Sequence, residues 1–485
     1  MLYHSKKTKG RCICLEIEVV KKIIKRHQLQ LEKVISKTEV AERYYENEND
    51  ILKLKNPVEK KSDDTNNPLR NADNRISHPW HQLLVDQKAS YTMAVPPTFD
   101  VDDDEMNENI DKILGDIFPK VAKELAVNAS NAGIAWLHVW KDDNKSGDMG
   151  SFFRYAVVDS KQIIPVFSKS LDKKLEGVLR VYQDYDANGD KIVIYEYWNN
   201  QECESFYRKS SDTIDEGLQI YEMFNLYDVS SGQEVGKTNN FKHEWGEIPF
   251  IPFRNNHIEQ NDLAKIKKQI DVYDKVYSGF VNDVDDIQEI IFVLTNYSGT
   301  DKQEFLNDLK KYKMVKVEDD DDSKGGVDTL AIDIPIEART KVLEITREAI
   351  FVLGQGVDPQ KNIGQNNSGV ALKQMYSLLE LKASGLETEF RIGFAELVRF
   401  ILRFYGKDPD IPIKQTWTRT QINNDLEQAD IIAKLAASTS KENIAKSNPL
   451  VEDWQAELDS LKNEQDDDNR MENDYRNSKT TVEDE

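Results

Sequence analysis

Long amphipathic segments dominate the pattern of apolar and polar positions between Asp262 and Gly406. In the first segment apolar residues recur at steps of three and four, which predicts a helix of about eight turns with one apolar stripe. The other face of this helix is charged, so we expect the helix to pack along one side only. The stripe comprises Leu263, Ile266, Ile270, Tyr273, Tyr277, Phe280, Val284, Ile287 and Ile291.

A second helix with the same spacing is predicted after Asp333 and Pro335, which suit a helix start. Gly354 and Gly356 end it. Its cations are Arg339, Lys341 and Arg347, and its apolar positions are Ala338, Val342, Ile345, Ala349 and Val352.

A third and longer helix is predicted from Ser368, a suitable N-cap, to the helix-ending residues Gly406 and Pro409. Its apolar side carries Met375, Leu378, Leu379, Leu386, Phe390, Phe394, Leu397, Val398, Ile401 and Tyr405. The segment from Gln355 to Gly369, called here the Gly/Asn loop, joins it to the second helix. The loop is rich in glycine and asparagine and has no aromatic residue, so it must be mobile or held by neighbours.

A small α/β insert is predicted between the first two helices, at residues 297–332. It contains a helix (Asp301 to Lys311), a strand (Lys313 to Glu318), an acidic turn and a second strand (Val327 to Ile332). Its densest cationic group is either a solvated helix face, which charge patterning alone favours, or a contact to phosphate or an acidic partner. The group consists of Lys302, Lys310, Lys311 and Lys313.

The N-terminal half is predicted to be an α+β domain with antiparallel hairpins. Helical periodicity covers residues 17–53, 82–91 and 107–131, and strands are predicted at residues 134–140, 153–158, 177–182, 191–198 and 219–226. Two prolines between Trp245 and Phe253 fit an edge strand or an extended crossing there rather than a central strand. After Gly406 we expect one strand (residues 411–418), two helices (residues 424–437 and 449–463) and an acidic, disordered end from Gln465.

Composition narrows the class of protein. The 485 residues exceed a single core, and two to four domains are expected. A mean hydropathy of -0.64 excludes an integral membrane protein. The net charge of -23 argues against a protein that binds nucleic acid over a broad surface. It does not exclude a protein with an acidic wall that lets nucleic acid pass. Three cysteines make no disulfide framework, which indicates a reducing compartment, and the basic N-terminus lacks a signal-peptide core.

No enzyme signature occurs in the chain, because G-x-S-x-G, P-loop and G-x-G-x-x-G motifs are absent. Acidic runs at residues 102–105 and 319–322 raise the alternative of a metal-dependent nuclease, yet consecutive aspartates on a loop point in different directions. A further alternative is an acidic structural scaffold. The calcium-loop-like start at Asp184 lacks its twelfth ligand, so a hairpin turn at Asn188-Gly189 is favoured. We expect no cofactor and no metal.

Several stretches together resemble the portal proteins of tailed bacteriophages, of the type found in siphophages that infect Gram-positive bacteria. The resemblance covers nearly the whole chain. It is carried by Arg75 to Pro97 (RISHPWHQLLVDQKASYTMAVPP), Gly246 to Asn255 (GEIPFIPFRN), Leu263 to Leu294 with its core SGFVNDVDDIQE, Asn296 to Lys316, and Asn367 to Glu380 (NSGVALKQMYSLLE).

The resemblance implies a ring-forming α+β portal fold with a β-rich wing, a helical stem, a small clip, a long spine helix and a helical crown. In chain order the parts are the wing (1–261), the stem helix (262–296), the clip (297–332), the second stem helix (333–353), the tunnel loop (354–369), the long helix (370–406), the crown (407–464) and the acidic tail (465–485).

Function is implied by the same resemblance. It predicts a non-enzymatic dodecameric ring at one capsid vertex, assembled in the host cytoplasm, through which double-stranded DNA is packaged and ejected. The implied partners are terminase, major capsid and scaffolding proteins, and head-completion proteins. Docking is expected at the clip, through the clip lysines Lys302, Lys310, Lys311 and Lys313.

Candidate channel residues follow from this implied function. The loop offers one cation and several amides for sequence-independent phosphate contacts, namely Lys361, Asn362, Gln365, Asn366 and Asn367. The stem cations Arg339, Lys341 and Arg347 are further candidates, or they pair with neighbouring carboxylates. The predicted loop hinges are Gly354, Gly356, Gly364 and Gly369.

Overall fold

The computed structural model describes residues 17–54, 72–142, 153–227, 234–287, 291–295, 326–330, 335–360, 369–419, 433–434, 439–447 and parts of 451–464. The chain divides into two compact units. The first consists of Met1–Gly356 with Leu381–Arg419, and the second of Val357–Glu380 with Thr420–Glu485. The predicted acidic tail, most of the insert and the middle of the Gly/Asn loop lie outside the described residues.

Helices open the chain, as the periodicity predicts. They are α1 (Ile17–Tyr45), α2 (Trp80–Met93), α3 (Asp104–Leu114) and α4 (Phe118–Ala132), with a short strand β1 (Thr98–Asp100) before α3. The helical periodicity over residues 107–131 covers two helices, α3 and α4. Gly115 takes a left-handed φ of 53° and Pro119 lies in the first turn of the next helix, so the helical segment divides in two at this point.

Two antiparallel sheets form the β-rich part of the first unit. Strands β2 (Ile134–Lys141) and β3 (Phe153–Val158) pair with each other, and β12 (Phe250–Arg254) joins the other side of β2. The strand β12 is therefore an edge, as its prolines predicted. The larger sheet has the order β11-β7-β6-β5-β4. Its strands are β4 (Ile163–Phe167), β5 (Leu175–Tyr185), β6 (Lys191–Trp198), β7 (Glu202–Lys209) and β11 (Asn240–Lys242), with β8 (Gln219–Ile220) beside β7.

The remaining short elements of this part are a four-residue helix α5 (Ile214–Gly217) and a hairpin of β9 (Phe224–Tyr227) with β10 (Glu234–Thr238). The predicted strand over residues 219–226 is thus two strands. Strands β4 and β7 were missed, because β4 contains a proline and β7 buries Glu202, Glu204 and Ser205, which a sequence pattern assigns to the surface. The hairpin turn at Asn188-Gly189 is confirmed, with Gly189 at a φ of 84°.

A helix pair follows the sheets. It comprises α6 (Lys267–Ile287), entered through a 3-10 turn at Leu263–Lys265, and α7 (Ile336–Gly354). The prediction that the first helix continues to Ile291 was wrong. Residues 291–295 form β13 (Ile291–Thr295), which pairs antiparallel with β14 (Gly326–Leu330), because a contiguous run of β-branched and aromatic residues suits a strand.

After the Gly/Asn loop comes α8 (Gly369–Phe404), a helix of 36 residues. It ends as predicted, since Gly406 takes a φ of 68° and the Lys407 N–H returns to the Leu402 carbonyl. Strand β15 (Lys414–Thr416) then pairs with β1, so residues as far as Arg419 belong to the first unit. A helix α9 (Lys441–Ser447) lies in the second unit.

The largest core of the first unit surrounds one face of α8. Phe390, Phe394 and Val398 pack there with side chains of α3, α4, β2 and β12. A second core lies between α1 and the larger sheet, a third lies among α1, α2, α6 and α7, and a fourth lies between the two sheets. The α8 segment is thereby held rigidly to both the helical and the β-rich parts of this unit.

Candidate functional site: the stem helices and the root of the Gly/Asn loop

The helices α6 and α7 lie side by side and antiparallel. Residues near the start of α7 meet the end of α6, where the Arg339 guanidinium pairs with the Asp283 carboxylate and lies 5.8 Å from the Phe280 ring. At the opposite end, Ile350 and Phe351 pack into the core that contains Ile266. The pair is therefore fixed at both ends by contacts within one chain.

The three predicted stem cations have different surroundings. Arg339 is paired as described, and the Arg347 guanidinium lies 5.7 Å from the Trp80 ring and 5.8 Å from the Phe351 ring. Lys341 is 69% exposed and contacts Glu344, three residues on, at 3.2 Å. Arginines stacked on aromatic rings serve packing within the chain, so of these three cations Lys341 is the one that solvent reaches most easily.

Gly354 and Gly356, which form the root of the Gly/Asn loop, lie directly against α2. A Cβ atom on Gly354 would lie 2.6 Å from Leu84 Cδ1, and one on Gly356 would lie 2.1 Å from Leu84 Cδ2. Both distances are too short for any side chain. Glycine is thus required here for close approach, whether or not these positions also act as hinges.

The end of α7 is capped through the backbone. Gln355 takes a left-handed φ of 55°, and the Gly356 N–H donates to the Phe351 carbonyl at 2.9 Å. This is the bonding pattern of a helix C-terminus closed by a left-handed residue. A non-glycine residue therefore supplies the turn that sequence reasoning assigned to glycine.

A buried cluster of Lys88, Asp262 and Lys382 also binds the root of the Gly/Asn loop. The Lys382 ammonium of α8 donates to the Gly354 carbonyl at 2.9 Å and pairs with Asp262 at 3.0 Å. Asp262 also pairs with Lys88 of α2 at 2.7 Å, and the Asn255 side chain bridges Lys88 and Asp262. Four segments distant in sequence are joined by this network.

The electrostatics of the cluster follow from burial. Burial alone would raise the pKa of Asp262, but the ammonium groups of Lys382 and Lys88 outweigh burial and hold it well below its usual range. Burial lowers the pKa of Lys88 to about 8, against the attraction of Asp262. The carboxylate is therefore ionised at neutral pH and anchors both lysines.

Sequence reasoning missed this cluster. Its one signal is position: Lys88 interrupts the apolar side of α2 next to Val85 and Ala89, and Lys382 lies on α8 between the apolar residues Leu379 and Leu386. A charged residue at an apolar position indicates a buried partner. The partners Asp262 and Asn255 could not be identified, since they are far away in the chain.

An extended strap, residues 74–79, runs along α6 and joins two of the stretches that carry the resemblance. Its backbone N–H groups at residues 74, 76 and 78 donate to side chains one helical turn apart on α6, at 2.6, 3.0 and 3.1 Å. The three acceptors are Asn282, Ser278 and Asp274. The Asp274 carboxylate also accepts from Asn49 at 2.6 Å and contacts His78 Nδ1 at 2.7 Å.

The acidic run at residues 102–105 has structural partners. The Asp103 carboxylate caps α3 by accepting from the Met106 N–H at 3.1 Å, and Asp102 pairs with Lys414. No group of three or more histidine, cysteine or carboxylate side chains in the described part of the chain is arranged to hold a metal ion. The second acidic run, residues 319–322, lies outside the described residues.

Several predicted site residues also lie outside the described part of the chain. They are the loop residues Lys361, Asn362, Gly364, Gln365, Asn366 and Asn367 and the clip lysines Lys302, Lys310, Lys311 and Lys313. Their roles stay predictions. Gly369 is the first residue of α8. No helix among the described residues is long and apolar enough to cross a membrane.

The chain order matches the one that the resemblance to portal proteins implies. Strands β13 and β14 lie between the helices α6 and α7 in the chain, and the long helix α8 follows the Gly/Asn loop. Comparison with known proteins agrees on the class: this is a phage portal protein.

The chain belongs to the family described as "Phage portal protein, SPP1 Gp6-like", whose family model matches residues 21–471. It is 40% identical over 448 residues to the portal protein of Clostridium phage phiCD119, covering 90% of this chain and 94% of that protein. It is 32% identical over 438 residues to the portal protein of Bacillus phage SPP1, covering 87% and 82%.

A solved structure titled "Neck of native GTA particle computed with C12 symmetry" is 12% identical to this chain, with a TM-score of 0.43, covering 77% of this chain and 90% of that one. Family membership makes this chain a component of the phage particle.

Proposed function

We propose that twelve copies of this chain form a closed ring at one vertex of the capsid and that double-stranded DNA passes through the ring during packaging and ejection. The proposal rests on membership of the portal family. The observation on the chain itself that supports it is an apolar row on α7 that stays about half exposed in the part of the first unit that the structure describes. Rings require such a surface, because each copy must bury part of itself against the next.

The uncovered row is the stripe that periodicity identified. Val342, Ile345 and Val352 are 43%, 55% and 47% exposed, whereas α7 is held to the rest of the first unit by Ile350 and Phe351, two of its buried residues. An exposed row of three large apolar side chains on one helix is typical of an interaction surface. In the proposed ring this row meets the neighbouring copy.

The channel wall is proposed to be mainly acidic, as the net charge of -23 suggests. Such a wall repels DNA phosphates and keeps binding weak. Lys341 and the loop residues Lys361, Asn362, Gln365, Asn366 and Asn367 would then supply the few local contacts. These contacts would be independent of base sequence, because they address phosphates.

The chain is proposed to act as a conduit without catalytic activity, with the packaging energy supplied by terminase. Terminase would dock at the clip, through Lys302, Lys310, Lys311 and Lys313, and head-completion proteins would use the same end afterwards. Major capsid and scaffolding proteins would surround the ring during assembly in the host cytoplasm.

Electron microscopy of the purified chain tests the ring, and Ile345→Asp tests the seam. We expect closed rings with a central hole from the wild type and folded single chains from Ile345→Asp. Leu171→Asp is the matched control, because Leu171 is fully exposed in a turn of the first unit. Rings from Ile345→Asp would rule out the α7 row as the seam, and compact particles without symmetry from the wild type would contradict the ring.

A further inference from the structure

A small cavity of about 130 Å³ opens beside the buried cluster at the loop root. Three lysines line it, Lys88, Lys265 and Lys382, together with a single carboxylate, Asp262. This local excess of positive charge occurs in a chain with a net charge of -23. The cavity is therefore positive against the trend of the whole molecule.

The charges around the cavity do not balance among the described lining residues. The side chains of Lys88 and Lys382 are 1% and 10% exposed, and they share the one carboxylate of Asp262. Their other acceptors, the Asn255 side chain and the Gly354 carbonyl, are neutral. Buried ions are normally paired. One buried positive charge is thus left without a counter-charge, and Lys265 adds another at the rim.

We propose that this cavity binds a small oxyanion of the phosphate class, held by the ammonium groups of Lys88, Lys265 and Lys382. A volume of this size has room for about four waters, enough for one tetrahedral ion. The lowered pKa of Lys88 agrees with a buried ammonium that lacks a full counter-charge. Because Lys382 also donates to the Gly354 carbonyl, the ion binds at the group that anchors the loop root.

Thermal unfolding of the full chain in inorganic phosphate, against sodium chloride at equal ionic strength, tests the site. We expect the unfolding midpoint of the wild type to rise steeply at low phosphate and then with the logarithm of its concentration, because a ligand that binds only the folded chain stabilises it by RT ln(1 + [L]/Kd). Lys265→Ala should weaken the apparent affinity by about tenfold or more, since it removes one charged hydrogen bond. Lys112→Ala is the control, because Lys112 is an exposed lysine of α3 away from the cavity.

Lys88→Met provides a second variant, since methionine keeps the length of the side chain and removes the excess charge. The part of the shift that is logarithmic in phosphate concentration should disappear in this variant. Phosphate also stabilises proteins generally by exclusion from their surfaces. A shift that grows in proportion to the phosphate concentration and is equal in all four proteins would be that general effect and would overturn the proposal, as would no shift.

The source of the phosphate group is resolved by replacing inorganic phosphate with a short DNA duplex at the same total phosphate concentration. If the duplex gives the same shift, and loses it in Lys265→Ala, the group is a backbone phosphate of DNA. If only the inorganic ion gives the shift, the site binds the free ion.

Discussion

At the scale of single residues, Gly354 and Gly356 show that one residue type can be required for two different reasons. The sequence predicted them as hinges because they flank a loop that is rich in glycine and asparagine and has no aromatic residue. In the fold each faces Leu84 of α2 at a distance that leaves no space for a Cβ atom. The left-handed turn itself is made by Gln355.

Gly356→Ala should therefore destabilise the chain by about 1–3 kcal/mol, because the added methyl group overpacks against Leu84. Chemical denaturation measures the loss. Gly279→Ala is the control, since nothing lies within 4 Å of that position in α6, and alanine there should stabilise by about 0.5–1 kcal/mol. If Leu84→Ala fails to offset Gly356→Ala in the double variant, Leu84 is not the cause.

His81 gives a second prediction at this scale. Its side chain is fully buried, with Nε2 2.9 Å from the Asn131 side-chain oxygen, and burial lowers its pKa to about 4. The unfolded chain binds a proton below about pH 6.5, and the folded chain does not. Stability should thus fall as the pH drops from about 6.5 to 4, by at most about 1.4 kcal/mol per pH unit for this residue.

His81→Gln keeps a donor to Asn131 and removes the titration, so the fall in stability over this pH range should become shallower. Denaturation at a series of pH values measures it. His257→Gln, at an exposed position, is the matched control for the loss of a histidine. The His81→Gln variant should retain part of the slope, because burial also lowers the pKa of His138 to about 4. An unchanged slope in His81→Gln would contradict the prediction.

At the scale of elements, the strap of residues 74–79 depends on α6 for its backbone hydrogen bonds. An extended segment outside a sheet has no strand to pair with, and its N–H groups need other acceptors. Asp274, Ser278 and Asn282 supply them from positions four residues apart, which place all three side chains on one face of α6. The strap in turn fixes the start of α2.

Asp274→Ala should cost about 1–3 kcal/mol, because it leaves the His78 N–H and one of the two N–H groups of the Asn49 side chain without an acceptor. Hydrogen exchange at residues 74–78 should become faster while exchange in the two sheets is unchanged. Lys275→Ala is the control on the same helix, because Lys275 is exposed and no described contact joins it to the strap. Equal protection of the strap in both variants would contradict this role for Asp274.

At the scale of the whole molecule, assembly must overcome repulsion between copies that each carry a net charge of -23. The proposed seam on α7 is apolar and does not weaken with salt. Like charges on neighbouring copies repel less as ions screen them, with a screening length of about 10 Å at 0.1 M salt. Ionic strength should therefore favour the ring.

We expect the fraction of chains in rings to rise between about 0.02 and 0.3 M sodium chloride, since the screening length falls several-fold over that range. Sedimentation velocity at fixed protein concentration measures the fraction. In Ile345→Asp, salt should not restore the ring. Rings that dissociate as salt is added would show that ion pairs between copies, rather than apolar contact, hold the assembly together.

The sequence by itself determined the kind and order of the principal elements. The helices α6, α7 and α8, the edge strand β12 and the turn at Asn188-Gly189 follow from periodicity and from the backbone preferences of proline and glycine, which act over a few residues. The family was also readable, because several stretches of the chain resemble portal proteins together. Local rules failed where strands bury charge, as in β7.

Only the tertiary structure decided which faces and charges meet. The α7 stripe at Val342 and Ile345 gave no sign of being exposed rather than buried, since periodicity reports a face but not its partner. Lys88, Asp262 and Lys382 lie on segments far apart in the chain, and their pairing depends on how α2 and α8 pack. Interactions between distant segments are set by packing of the whole unit, which no local pattern encodes.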